Sequence, residues 1–166
     1  RVLTALNLKK PDRVPFVELH IDSVVGERII GKKEYTKGEL AECLNLDGIG
    51  LPLYPDIYVE KTVGSDGREY ITGGRLKRFN DLKMIRLKNP KDEGLYDPIK
   101  KFVELYGEKY AIFVSTNIGL DPLLLGMGID NFSYALVDNL KLVENILDIY
   151  IDWTAEVVLH LQKVVY

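Results

Sequence analysis

Three short apolar runs of the sequence are each followed by side chains that could do acid–base chemistry or bind a polar substrate. They are His20, Asp22, Tyr54, Asp56, Thr116, Asn117 and Asp121. A histidine can exchange a proton near neutral pH. A carboxylate such as Asp56 can stabilise positive charge or orient that histidine, and an asparagine amide can both donate and accept hydrogen bonds. We predict that His20, Asp56 and Asn117 are catalytic and that the other four side chains bind substrate.

Each of these side chains also has a purely structural alternative. His20 could bond a backbone carbonyl, and Asp22 could help to cap the helix that follows it. Asp56 could belong to a turn, while Asn117 and Asp121 could shape their loop by bonding their own backbone. The shared position at the ends of predicted strands gives the set more weight than any member has alone.

The composition excludes several other classes of site and protein. His20, His160 and Cys43 lack the spacing of zinc ligands, so no metal site is predicted within this chain. The single cysteine excludes an internal disulfide and fits a reducing compartment. The net charge of −3, with basic residues scattered among acidic ones, gives no nucleic-acid face. We predict neither a signal peptide nor a membrane span, since no apolar run approaches the ~18 residues that a span needs, and hence a cytoplasmic protein that does not bind membranes.

Three predicted strands position these side chains. They are Val14–Leu19, Asp47–Leu53 and Ala111–Ser115. The third lies in an unbroken apolar run, which is typical of a strand buried on both faces. Helical patterns separate the three strands, which predicts a parallel sheet. Because the carboxyl ends of parallel strands meet at one edge, we expect His20, Asp56 and Asn117 to approach one cavity.

Capping signals and apolar spacing predict the helices. Asp97 and Pro98 fit the N-cap and first position of a helix, and Gly107 fits a left-handed C-cap at its end. Further helices are predicted after the caps Ser23, Thr36 and Asn139, and over Pro122–Met127 and Phe132–Val137. The helix after Ser23 should end at Gly31, and Glu39 should complete a capping box with Thr36.

The stretch Ile57–Leu87 departs from this alternation of helix and strand. Asp66-Gly67 lies between two β-prone runs, which is a strong hairpin signal. Leu76–Phe79 and Leu82–Leu87 have the composition of further strand pieces. We predict a mainly antiparallel excursion beside or over the mouth of a barrel.

The length decides between a whole barrel and part of one. A closed eight-stranded β/α barrel needs ~250 residues or more, and this chain has 166. We predict an α/β fold that is the first half of a (β/α)8 TIM barrel, with a β-hairpin excursion after the second strand and residues 1–166 forming a single incomplete domain. The sequence starts without methionine and ends inside a helical pattern, so we expect the protein to continue after Tyr166.

Four stretches carry a resemblance to a known family. They read RVLTALNLKKPDRVPFVE, LDGIGLPLYPDI, YGEKYAIFVSTNIGLDPLLLGMGIDNF and VDNLKLVENILDIYIDW. Together the sequence resembles the N-terminal half of the uroporphyrinogen decarboxylase superfamily, which includes porphyrinogen decarboxylases and cobamide-dependent methyltransferases such as coenzyme M methyltransferases. The resemblance implies a single (β/α)8 barrel of roughly twice this length.

The methyltransferase branch is the first expectation. Its members use zinc, bound by His and Cys, to hold a thiol as the thiolate that takes a methyl group from a corrinoid. In this family the zinc ligands belong to the second half of the barrel. The resemblance therefore implies zinc and a corrinoid for the full-length protein and no cofactor within this segment. It also implies a small-molecule or corrinoid-bound substrate and a corrinoid protein as partner, with a homo-oligomer as a further expectation.

Two alternatives stay open. In the decarboxylases of porphyrin biosynthesis, an arginine-rich loop after the first strand grips the substrate carboxylates, and an essential aspartate ends the second strand. Asp56 is the nearest match to that aspartate. The stretch His20–Lys33 has one arginine, Arg28, inside a predicted helix, which departs from an arginine-rich loop and counts against this activity, because a substrate with many carboxylates needs several fixed cations. The second alternative is a non-catalytic half-barrel subunit that acts by association through its exposed strand edges.

Overall fold

The computed structural model describes residues 1–164 as a mixed α/β fold. The helices are α1 (Val2–Leu6), α2 (Ser23–Ile30), α3 (Lys37–Cys43), α4 (Asp97–Tyr106), α5 (Leu120–Met127), α6 (Ile129–Asp138) and α7 (Leu140–Val164). The strands are β1 (Val17–Glu18), β2 (Gly48–Pro52), β3 (Val59–Val63), β4 (Glu69–Gly74) and β5 (Ala111–Ser115). Two short 3₁₀ helices span Phe79–Met84 and Glu93–Leu95. The α/β class predicted from the sequence is confirmed.

A parallel sheet with the strand order β1-β2-β5 joins the three predicted strands. Gly48 of β2 lies opposite Val17 of β1 and Ala111 of β5. The five residues of β5 are half-buried, so the prediction of a strand buried on both faces is wrong. Ile112 packs against an apolar cluster on one face, but no strand flanks the outer edge of β5 in the described part of the chain.

The first strand is much shorter than the predicted Val14–Leu19. Pro15 has no N–H to offer a neighbouring strand. The N–H of Phe16 is taken by a side chain, since it donates to Asp47 Oδ2 at 3.0 Å. Ladder pairing with β2 therefore covers only Val17 and Glu18.

The helix α4 begins and ends close to the predicted positions. It starts at Asp97, so this residue lies in the first turn and not at the N-cap. The N–H of Gly107 donates to Val103 O at 2.7 Å, which is the ordinary helical bond. The backbone φ of Gly107 is not positive, so the predicted left-handed C-cap at this residue is wrong.

The predicted hairpin is confirmed. Strands β3 and β4 pair antiparallel, with Val63 opposite Glu69. In the turn, Asp66 Oδ1 accepts from Arg68 N–H at 3.1 Å, and Gly67 has a φ of 76°, which favours glycine.

The strand pieces predicted after the hairpin are wrong. A 3₁₀ helix, Phe79–Met84, occupies the middle of this stretch, and neither predicted piece forms a strand. The carboxylate of Asp81 accepts from the N–H groups of Lys77 and Arg78 at 2.9 and 2.8 Å. This local capping satisfies donors that a strand would direct to a neighbouring strand, and it begins a helical turn instead.

Two compact units divide the chain. Residues 1–53 and 97–115 form one, which we call the sheet unit, and residues 54–96 with those from 116 onward form the other, which we call the hairpin unit. The core of the sheet unit consists of Ala41, Leu46, Ile49, Phe102 and Tyr110. The core of the hairpin unit includes Leu76, Leu123, Met127, Leu142, Ile146 and Tyr150. The single incomplete domain stays a prediction.

The longest helix, α7, has 25 residues. Its apolar residues recur at helical spacing. The buried ones include Leu142, Ile146, Tyr150 and Val157. Among the helices of residues 1–164, neither α7 nor any other combines the length and apolar character needed to cross a bilayer.

Candidate functional site

His20 and Asp22 follow β1 in the sheet unit, as predicted. His20 is exposed and lines a cavity of about 140 Å³ beside the carboxyl end of this strand. Asp22 is the N-cap of α2, because its Oδ1 accepts from Val24 N–H at 2.9 Å. Ser23 is therefore the first helical residue and not the predicted cap. The part of Asp22 in substrate binding stays a prediction.

The cavity lies on the face of the sheet that the helices cover. Glu18 of β1 is opposite Ile49 of β2, and both residues line the cavity. Ile49 belongs to the same buried cluster as Ala41 of α3 and Leu46. The cavity thus has an apolar floor between sheet and helix, and a polar mouth at the end of β1.

Lys37 is the cationic group of this cavity. Its Nζ donates to the backbone carbonyl of Gly50 at 2.5 Å and lies 5.4 Å from the centre of the Phe102 ring. In the described residues, the ammonium of Lys37 forms no ion pair with a carboxylate. The Lys37 residue is exposed, but partial desolvation of its ammonium lowers its pKa, because removal of water disfavours the charged form.

A capping box holds Lys37 in place at the start of α3. Thr36 Oγ1 accepts from Glu39 N–H at 3.1 Å, and Glu39 Oε2 accepts from Thr36 N–H at 2.7 Å, as predicted. Glu39 also pairs with Lys32 at 2.5 Å. The hydrogen bonds from Lys32 and from the Thr36 backbone lower the pKa of Glu39 to about 2.

Gly50 allows β2 to lie close to the chain segment that follows β1 beside the cavity. A Cβ added at this position would lie 2.6 Å from the backbone of Leu19, so only glycine allows the two chain segments to approach so closely. The β1–β2 register ends at Glu18 and Ile49, so no residue of β1 lies opposite Gly50. Its carbonyl accepts from Lys37 instead.

Asp56 and Asn117 lie in the hairpin unit. The backbone of each accepts a hydrogen bond from a side chain on one face of α7. Tyr150 OH donates to the backbone carbonyl of Asp56 at 3.1 Å, and Thr154 Oγ1 donates to that of Asn117 at 2.7 Å. Because Tyr150 and Thr154 are four residues apart, they lie one above the other on the helix. The backbones of two predicted catalytic residues are therefore both bound to the same face of α7.

The tyrosine that holds Asp56 is fully buried. Its exposed fraction is 0%. Burial, followed by the nearby Tyr58 and Asp56, raises the pKa of Tyr150. The hydroxyl therefore stays protonated and remains a hydrogen-bond donor at physiological pH.

The remaining predicted substrate-binding residues are also in the hairpin unit. Tyr54 is half-exposed, and Asp121 is an exposed acid in the first turn of α5, where the helix dipole favours negative charge. Among the described side chains, Thr116 Oγ1 is buried without a hydrogen-bond partner. Such a hydroxyl costs stability, so Thr116 is a position where a polar ligand would restore a missing bond.

His20 and Asp56 belong to different units, so their approach to one cavity stays a prediction. No group of three or more His, Cys, Asp or Glu side chains in residues 1–164 is arranged to hold a metal ion.

Sequence reasoning missed three residues that shape these sites: Lys37, Tyr150 and Thr154. The capping box of Thr36 and Glu39 was visible and places Lys37 at the first position of α3. The helical spacing of Tyr150 and Thr154 was also visible, but it indicated only a buried face. Neither pattern reveals which backbone carbonyl a side chain will reach.

No protein-family model matches the sequence, and no curated protein matches it. Among solved structures, the chain is similar to a methyltransferase from Methanosarcina mazei, with 19% sequence identity and a TM-score of 0.52. The similarity covers 92% of this chain and 51% of that chain, so the chain spans about half the length of the structure that it matches. The fold that the two share is mixed α/β with a parallel sheet, compatible with part of an α/β barrel.

Proposed function

We propose that this chain is the N-terminal half of a (β/α)8 barrel of the uroporphyrinogen decarboxylase superfamily, and that the complete barrel carries out corrinoid-linked methyl transfer. One observation carries the proposal: the likeness to a methyltransferase extends over 92% of this chain and 51% of that one. The sequence motifs that resemble the same superfamily support it separately, because they rest on residues and not on the fold.

In this proposal, the loops after the parallel strands contribute to the substrate site. Asp56 stabilises positive charge or orients His20, which exchanges a proton with the substrate. Asn117 holds an amide or carboxylate of the substrate. The bonds from Tyr150 and Thr154 to the backbones of Asp56 and Asn117 support this assignment, since a catalytic loop must be held in position.

Bound elsewhere in the complete barrel, a corrinoid would supply the methyl group, and a zinc ion would favour the thiolate form of the acceptor. The donor set of residues 1–164 does not fit a zinc site. We therefore assign the zinc ligands to the complementary part of the barrel and ascribe only substrate binding and proton exchange to this chain.

Uroporphyrinogen decarboxylation is the alternative implied by the same resemblance. Residues 20–33 contain a single arginine, Arg28, and it lies exposed in the last turn of α2. A substrate with many carboxylates needs several positioned cations. This shortage favours methyl transfer over decarboxylation.

The test uses this chain within the longest open reading frame that contains it. The purified protein is mixed with methylcobalamin and a small thiol, and the loss of methylcobalamin absorbance is followed together with the methyl thioether by mass spectrometry. We expect thioether formation, and we expect Asp56→Asn to slow it by roughly 100-fold or more, the size of a typical acid–base contribution. Asp152→Asn, at an exposed position of α7, is the matched control and should retain full turnover.

Two results would contradict the proposal. If the protein forms no thioether but converts uroporphyrinogen to coproporphyrinogen, the decarboxylase alternative is correct. If Asp56→Asn folds normally and keeps full methyl transfer, Asp56 is a turn residue and the catalytic assignment is wrong.

A further inference from the structure

We infer that the cavity of the sheet unit binds a small monocarboxylate with a short apolar body, and that Lys37 recognises the carboxylate. The side chains in and around this cavity carry the inference, which does not depend on the proposed methyl transfer.

The ammonium of Lys37 has donors left for a ligand. A lysine ammonium has three N–H groups, and the carbonyl of Gly50 takes one of them. In the described part of the chain no carboxylate pairs with Lys37, and the Phe102 ring lies 5.4 Å from Nζ. An ammonium that lines a cavity and is not ion-paired favours an anionic oxygen ligand, because a hydrogen bond between two charged groups is the strongest kind available.

The floor of the cavity sets the character of the rest of the ligand. Leu40, Ala41, Leu46 and Ile49 line it, and all four are buried. Its volume of about 140 Å³ is close to the roughly 150 Å³ of an engineered cavity that holds benzene. A ligand body of about four to six carbon atoms therefore fits.

Glu18 makes the site selective for a single negative charge. This exposed carboxylate lines the same cavity as Lys37, so a second carboxylate on the ligand would face like charge. His20 also lines the mouth, whereas the Tyr35 hydroxyl already donates to Ser23 O at 3.3 Å. The cavity thus offers one free cationic donor group and opposes dianions.

Isothermal titration calorimetry of the chain with butyrate, benzoate and succinate tests this assignment. We expect saturable binding of butyrate or benzoate at millimolar concentrations, and weaker binding of succinate. Lys37→Met keeps the length of the side chain but removes the ammonium, so it should weaken monocarboxylate binding about tenfold or more. Lys33→Met removes a charge from an exposed position outside the cavity and is the matched control.

Far-UV circular dichroism of both variants checks that the fold is retained, and amide NMR signals of Ala41 and Gly50 should shift only when monocarboxylate binds. Absence of saturable binding would overturn the inference. Equal monocarboxylate binding by Lys37→Met and the unaltered protein would also overturn it, as would succinate binding as tight as that of butyrate.

Discussion

Two hydroxyl groups of α7 do more than fill the core of the hairpin unit. Tyr150 and Thr154 each donate to a backbone carbonyl outside their own helix, and the acceptors belong to Asp56 and Asn117. A buried hydroxyl without a partner destabilises a fold, whereas a satisfied one stabilises it. The same two bonds therefore stabilise the unit and fix the positions of two candidate site residues.

The Tyr150→Phe substitution tests this role. It removes the bond to the Asp56 carbonyl and retains the ring, so we expect the free energy of unfolding to fall by about 1 kcal/mol. The single tryptophan, Trp153, is buried in the same unit and its Nε1–H donates to Lys88 O at 2.6 Å, so its fluorescence in a urea titration reports the change. Tyr134→Phe, at a side chain that is 71% exposed, should leave the midpoint unchanged. Equal midpoints for both variants would show that the Tyr150 bond contributes nothing.

At the scale of the element, the capping box of Thr36 and Glu39 stabilises the start of α3. These bonds satisfy N–H groups that the first turn leaves open. They also fix the position of Lys37, the first residue of the helix, and with it the polar group of the cavity. A local sequence signal thus determines where a candidate ligand-binding group lies.

The pH dependence of stability should reveal this cap. The folded-state pKa of Glu39 is lowered from 4.5 to about 2 by its hydrogen bonds to Lys32 and Thr36. A lowered folded pKa means that the carboxylate stabilises the fold fully above pH 4.5, and that this contribution is lost as the pH falls from 4.5 to about 2. We expect Glu39→Gln to be less stable than the unaltered chain above pH 4.5, with the difference shrinking toward pH 2.

Urea unfolding followed by circular dichroism across this pH range measures the difference. Glu34→Gln, at a neighbouring exposed glutamate that has no ion pair in the described residues, is the control and should track the unaltered protein. A Glu39→Gln difference that stays constant with pH would show that the carboxylate charge is not what stabilises the cap.

The elements that the sequence predicted well depend on neighbours a few residues away. The capping box of α3 and the Asp66-Gly67 turn are complete within their own segments. The length of β1 was not predictable, because Asp47, 31 residues after Phe16, takes the N–H that a strand would use. The prediction of strands after the hairpin was wrong for another reason. The apolar residues of this stretch are compatible with a strand or a helical turn, and the cap formed by Asp81 stabilises a 3₁₀ helix.

For the candidate site, too, the sequence predicted some features and missed others. The positions of His20, Asp56 and Asn117 after strands or loops could be predicted, since a strand ends where its apolar run ends. Their environment could not, because Tyr150 reaches Asp56 across 94 residues of sequence. Lys37 was missed because its partner is a backbone carbonyl of β2, which has no sequence signature.

At the scale of the whole molecule, the two outer strands of the parallel sheet each have an unpaired edge in the described residues. In residues 1–164 both β1 and β5 pair with one strand only. Val14, Phe16 and Leu19, around β1, expose apolar side chains. Unpaired strand edges next to apolar side chains favour association with another chain, as the half-barrel alternative requires.

We therefore expect this chain, purified by itself, to associate through the β1 side of its sheet. Analytical ultracentrifugation should give a mass above that of one chain, increasing with concentration. Val14 is 83% exposed, so Val14→Lys should place a charge at this edge and shift the population toward the monomer, because lysine at a strand edge opposes pairing. Val137→Lys is the matched control, since Val137 is 85% exposed on α6 and far from any strand in sequence. A monomer at every concentration would contradict the expectation, and dissociation by Val137→Lys but not by Val14→Lys would place the contact on α6 instead of on the sheet.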